Sequence, residues 1–163
     1  MATTYEPIAT TTLSTTAANI TFSSIAATYT DLQIVLTGTV TVANNPKIQF
    51  NSDTASNYSY RSINGDGATA TTSSASSSNG LLTINNMDTT IPGFIRINIL
   101  SYTGSTKKTF FSAYSLDKNG SGNVGSILGV WNNTAAITQV LIDSGGTTFK
   151  TGTTATLYGI KAA

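Results

Sequence analysis

The stretch Asp31–Thr41, DLQIVLTGTVT, sets Leu32, Ile34 and Leu36 on one side of an extended chain. Side chains of a strand point alternately to its two faces, so a period of two with one apolar face reads as a half-buried β-strand. The same reading works outward from there. In Ile91–Leu100, IPGFIRINIL, the isoleucines Ile91, Ile95, Ile97 and Ile99 share one face, with Arg96 and Asn98 on the other. Lys47–Asn51 places Ile48 with Phe50, and Tyr58–Ile63 sets Tyr58 with Tyr60 and Arg61 with Ile63. Thr109–Leu116 alternates Phe110, Ser112, Tyr114 and Leu116 against Phe111, Ala113 and Ser115. Ser126–Trp131 and Ala136–Ile142 are short apolar runs separated by Asn132, Asn133 and Thr134. Thr154–Ile160 sets Thr156, Tyr158 and Ile160 against Ala155 and Leu157.

Composition points the same way. The chain holds 31 Thr, 15 Ile and 6 Val, about a third of its 163 residues. These β-branched side chains pack well on a pleated surface and lose rotamer freedom in helices. Between the runs lie Asn-Asn-Pro, Asn-Gly-Asp-Gly, Thr-Gly-Ser, Asn-Gly-Ser-Gly and Ser-Gly-Gly, all of them turn chemistry. The reading is a single all-β domain, 1–163: an antiparallel, jelly-roll-like β-sandwich of about eight to ten strands. The expected core is Leu32, Ile34, Leu36, Ile48, Phe50, Ile95, Ile97, Ile99, Leu128, Val130, Leu141, Leu157 and Tyr158. One helical turn is allowed, at Ser23–Thr28. Ala68–Asn79, built only of Ala, Thr, Ser and Asn, reads as a flexible loop.

What the chain lacks narrows its chemistry. Without Cys there is no disulfide, thiolate nucleophile or Cys-type zinc site, and without His the commonest general base and metal ligand are gone. Eight Lys and Arg against seven Asp and Glu leave a net charge of +1, which gives no electrostatic case for nucleic acid or an anionic membrane. The one glutamate is Glu6; the aspartates Asp31, Asp53, Asp66, Asp88, Asp117 and Asp143 stand singly and read as turn residues. No enzyme is expected, and no catalytic, metal or cofactor residue is assigned. The opening MATTYEPIATTTL has neither a basic n-region nor an apolar core, so no signal peptide is expected, and no run is long enough to span a bilayer. A hydroxyl-rich exterior composition without an export signal fits release by host lysis.

Several motifs invite chemistry and answer to simpler readings. NSDTASNYSYR, Asn51–Arg61, gathers oxygen groups around one carboxylate, too few for calcium, and reads as an Asx-stabilised turn. DKNGSGN, Asp117–Asn123, begins like an EF-hand loop without the later acid and reads as a hairpin loop; NGDG, Asn64–Gly67, is a turn without the phosphate-loop lysine. Lys107-Lys108 beside Tyr102, Phe110 and Phe111 has the make-up of a single-strand nucleic-acid patch, yet reads more simply as lysines closing a turn before a core strand. Trp131 beside Asn132 and Asn133 suits sugar stacking, with a core tryptophan at a strand end as the simpler reading. The sequons at Asn19, Asn57, Asn119 and Asn132 follow from composition.

Taken together in this order, MATTYEPIATTTLSTTAANITFSSIAATYTDL, FNSDTASNYSYRSINGDG, SYTGSTKKTF, WNNTAAIT and TATLYGIKAA resemble a family of small virion structural proteins of tailed bacteriophages, notably cyanophages. The likeness runs nearly end to end; Ala26-Ala27 departs from it where a proline is expected. It implies a place in a phage virion and no catalytic or binding residues. The expected function is a capsid decoration (cement) protein on the head surface; the alternative is a tail-fibre or baseplate module binding a receptor or host-surface glycan. The expected partners are the major capsid protein or other virion proteins and further copies of the chain, a homo-oligomer with a trimer favoured. Contacts built from Thr and Ser rather than ion pairs are expected to persist in moderate salt.

Overall fold

A computed structural model, describing residues 5–84, 86–119 and 121–161, turns the alternating runs into two antiparallel sheets packed face to face. In chain order the strands are β1 (Tyr5–Thr12), β2 (Asn19–Phe22), β3 (Asp31–Gly38), β4 (Lys47–Phe50), β5 (Tyr58–Gly65) and β6 (Ala70–Ser78). There follow β7 (Leu81–Leu82), β8 (Gly93–Leu100), β9 (Lys108–Leu116), β10 (Asn123–Trp131), β11 (Val140–Asp143) and β12 (Thr154–Ile160). The large sheet runs β1-β12-β3-β8-β9-β10-β5-β6 and the small one β2-β11-β4-β7.

The pairings are nested. β1 pairs with β12, β2 with β11, β3 with β8 and β4 with β7. This is a long hairpin rolled up until β12 also meets β3 and β11 also meets β4. The nesting, with strands shared between two sheets, is the jelly-roll arrangement. Two hairpins are inserted into it, β5–β6 between β4 and β7 and β9–β10 between β8 and β11. Both join the large sheet beyond β8, which is why it has eight strands and its partner four. The strand count exceeds the expected eight to ten because of β1 and β6, whose Thr, Ser and Ala give no sustained apolar alternation, and the short β2 and β7.

The core lies between the sheets. Ile34 sits between Ile97 and Leu157, Leu36 between Ile95 and Ala155, and Leu32 beside Ile99, all fully buried. From the small sheet Val140 lies between Phe22 and Phe50, and Ile142 between Ile20 and Ile48. Loop residues Ile25, Val40, Ile84, Met87, Tyr102, Ile137 and Phe149 close the sides.

Four expected core residues face the other way. Leu128 is 59% exposed and Val130 half-buried, because β10 points Ile127, Gly129 and Trp131 inward. Gly129 marks the reason: a Cβ there would lie 2.6 Å from Cδ2 of Leu81, whose side chain fills the space over the glycine. Leu141 is half-buried since Val140 and Ile142 take the inner face of β11, and Tyr158 is half-buried on the outer face since Leu157 is inside. Ile91 precedes β8 and is partly exposed.

Two local readings are also corrected. Ser23–Thr28 contains no helical turn: Ser24 has φ 55°, the Ile25 N–H donates to the Thr138 carbonyl (3.0 Å), and the Tyr102 hydroxyl donates to the Ala26 carbonyl. Tertiary partners take the groups a helix would have used. Ala70–Ser78, expected to be loop, is strand β6, held in register with β5 from Gly65↔Ala70 to Ser59↔Ser76.

Ile97→Ala, which empties a fully enclosed site, should cost about 2–5 kcal/mol, whereas Leu128→Ala should stay within about 0.5 kcal/mol of the parent. Urea unfolding of both variants measures the difference; equal losses would mean that the faces of β8 and β10 are misassigned.

Candidate interaction surface

The polar motifs resolve into structural roles. Five aspartates accept a backbone N–H two residues on: Asp53 from Ala55, Asp66 from Ala68, Asp88 from Thr90, Asp117 from Asn119 and Asp143 from Gly145 (2.6–2.9 Å). Each closes an Asx turn, the use expected of them. Asp31 instead accepts the N–H of Ser101 at the far end of β8 (2.7 Å).

Asp53 has a second task. Its other oxygen, Oδ2, accepts from Nε1 of Trp131 (2.7 Å) and from Nδ2 of Asn57 (2.9 Å). The Trp131 ring lies 5.6 Å from Phe50 and stacks on Tyr58 at 6.3 Å. The Tyr58 hydroxyl accepts from the Phe50 N–H and donates to the Asp53 carbonyl, each at 3.0 Å, and burial pushes its pKa up to about 12. NSDTASNYSYR is therefore the clasp by which the chain passes from the small sheet to the large one. Trp131, 1% exposed, offers no ring face to a sugar.

Lys108 is fully buried, with Nζ donating to the carbonyls of Gly104, Thr106 (2.6 Å) and Thr134 (3.1 Å). All three ammonium donors are matched, although burial lowers its pKa. It fastens the turn before β9 rather than contributing to a basic surface, and Phe110 beyond it is core. NGDG and DKNGSGN, far apart in sequence, meet at the tips of the two inserted hairpins, where Gly65, Asp66, Leu116 and Val124 border an open cleft of about 300 Å³. On the other side of the second loop Lys118 pairs with Asp88 at 2.5 Å.

The surface that stands out is the outer face of the large sheet. Phe94 and Leu100 on β8, Val124 and Leu128 on β10 and Ile63 on β5 are 48–61% exposed. Strand register sets them on adjoining strands: Leu128 lies opposite both Arg61 and Phe111, Ile63 opposite Ser126, Phe94 and Val124 on either side of Ser115, and Leu100 opposite Thr109 at the other end of β8. An open groove of about 520 Å³ runs along it past Arg61, Ser76, Leu128 and Val130. The charges that β5, β8, β9 and β10 place on this face are Arg61 and Arg96, both exposed; the neighbouring β3 adds Asp31 at an outward position, its carboxylate bonded to the Ser101 N–H beside Leu100. Single exposed apolar residues are ordinary, but a contiguous set on one flat face marks a binding surface. The period-two reading had already set Ile63 with Arg61; the misassigned parity of β10 hid Leu128. Trp131 was the available signal, because counting back by two from the largest apolar side chain gives 129 and 127 as the inner positions.

A scan of protein-family models gives no match to this chain, and a search of curated proteins gives no relative.

Acid should loosen the Asp53 clasp and the Asp88–Lys118 pair. The Lys118 ammonium, followed by the N–H groups of Ile91 and Thr90, holds the Asp88 carboxyl well below the usual carboxylate range. The Asn57 amide, followed by the Trp131 and Ala55 N–H groups, lowers that of Asp53. A carboxyl more acidic in the folded chain adds stability above its unfolded pKa and loses it as pH falls toward the folded value. The urea midpoint should therefore hold from neutral pH down to about 5 and decline below about 4. Asp88→Asn should start lower at neutral pH and decline less; an unchanged acid slope would remove Asp88 from the account.

Proposed function

We propose that the chain is a bacteriophage virion structural protein, a capsid decoration (cement) protein that lies with the outer face of its large sheet against the head surface. The observation that carries this is the set of exposed apolar side chains Ile63, Phe94, Leu100, Val124 and Leu128 on one sheet face, where strands β5, β8, β9 and β10 contribute Arg61 and Arg96 as the outward charges. An apolar face whose central strands carry only arginines fits a broad protein surface that presents apolar side chains and acidic groups. The end-to-end likeness of its sequence blocks to small phage virion proteins points to the same setting. The clefts beside Leu116 and beside Leu128 are open to solvent, which suits a part that acts by surface contact. The receptor-binding alternative has less behind it, since the aromatic ring best suited to a sugar, Trp131, is inside.

The test is binding of purified protein to phage heads that lack it. The parent should saturate the heads and persist in moderate salt. Ile63→Asp with Leu128→Asp should lose binding while keeping the parent unfolding midpoint, because both side chains are already in solvent. Labelling confined to the tail tip, or heads that bind the double variant as well as the parent, would overturn the proposal.

A further inference from the structure

The two sheets have four edges, β1 and β6 on the large one and β2 and β7 on the small. An edge strand presents unpaired N–H and C=O groups, and proteins blunt it with brevity, proline, bulges or charge. β2 and β7 are four and two residues long. β1 carries Pro7, a register break between Pro7 and Ala9, and Glu6 paired with Lys161 at 2.8 Å. β6 has one of these devices, a register shift between Ser76 and Ser78 at its last residues, and is otherwise unprotected. It is nine residues long, ATTSSASSS, with no charge and no proline, and it keeps register over Ala70–Ser76.

β6 is also bare on both faces. Thr71, Thr72, Ser73 and Ser74 point alternately to the two sides and all are exposed. Its ordering rests on the ladder to β5 and on contacts such as Ser62 Oγ to Ser73 Oγ at 2.6 Å. The direction of its free groups follows from the hairpin end. The Asp66 N–H donates to the Thr69 carbonyl (3.2 Å), so 66–69 is a hydrogen-bonded pair. Strict alternation then makes Asn64–Thr71, Ser62–Ser73 and Tyr60–Ala75 hydrogen-bonded and turns the backbone groups of Thr72, Ser74 and Ser76 away from β5.

We propose that β6 is a self-association edge: two copies of this chain pair β6 to β6, antiparallel, about a two-fold axis at Ser74. The axis brings Thr72 of each copy opposite Ser76 of the other and joins the two large sheets into one. Absence of charge carries the choice of occupant, since like meets like across a two-fold axis and an uncharged strand brings no repulsion to it. A threefold ring would need β6 to pair with a different edge. The long one, β1, is blunted by Pro7, and the other two are too short to match nine residues. The inference concerns the free chain and stands apart from the virion reading.

Sedimentation of the purified full chain over a range of concentrations tests it. The parent should be a dimer. Ser74→Pro removes an outward donor at the axis without touching the β5 ladder, and should raise the dimer dissociation constant by about tenfold or more with the unfolding midpoint kept. Ser74→Lys leaves the backbone intact and puts like charges at the axis; it should give monomer at low salt and regain dimer at high salt, and it decides the matter if the proline variant does not fold. A parent monomeric up to about 100 μM, a trimer, or a dimer unmoved by the Ser74→Lys substitution would overturn the proposal.

Discussion

The inequality of the two sheets governs this molecule. A four-stranded sheet has to shield the inner face of an eight-stranded one. Where it reaches, alternate positions are filled by isoleucine, leucine and phenylalanine and are dry. Where it stops, loop side chains such as Ile84, Met87, Tyr102 and Phe149 take over the covering. Past that limit, β6 has no apolar residue larger than alanine, so little remains there to be covered. Side-chain size thus falls with the cover available.

Ion pairs contribute little to this economy. Among the described residues two are present, Lys118–Asp88 and Lys161–Glu6. In their place hydroxyls join strands and loops: Thr10 with Thr156 (3.1 Å), Thr12 with Thr154 (3.0 Å), and Thr41 with Thr147 and Thr148 (each 2.9 Å). A threonine on a strand supplies a methyl for packing and a rotatable donor for a cross-strand bond, and it has less rotamer freedom to lose than lysine. Buried charge goes largely to backbone: Lys108 donates to three carbonyls, and Asp88 accepts two N–H groups besides pairing with Lys118.

The fold was legible wherever bulk alternated with polarity, and the failures share a cause. Leu32, Ile34 and Leu36, or Ile95, Ile97 and Ile99, admit one parity, and the structure has it. Val140-Leu141-Ile142 and Ile127-Leu128 are apolar on both parities, so which face is inner depends on the opposite sheet, here on Phe22, Phe50 and Leu81. β6 carries no apolar contrast, and its strand form comes from the Asp66 turn and from β5, which composition does not express. The turn roles of the aspartates were legible because an Asx turn is local. The partnership of Asp53 with Trp131, 78 residues away, was not, and neither was the carbonyl cage around Lys108, completed by Thr134.

The nested pairing has a consequence for how the chain reaches this state. β12, the last strand, lies between β1 and β3, two of the first three. During synthesis β1 therefore waits for its neighbour until Thr154–Ile160 has emerged, and β3 shows an open edge for as long. The inserted hairpins are under no such delay, since β5–β6 and β9–β10 each close over a short loop. Folding dominated by distant pairings is slow, and open strands invite wrong partners meanwhile. The sequence gives the waiting strand little bulk in its second half, where β1 ends Ala9-Thr10-Thr11-Thr12, and so leaves a stray strand little to hold there.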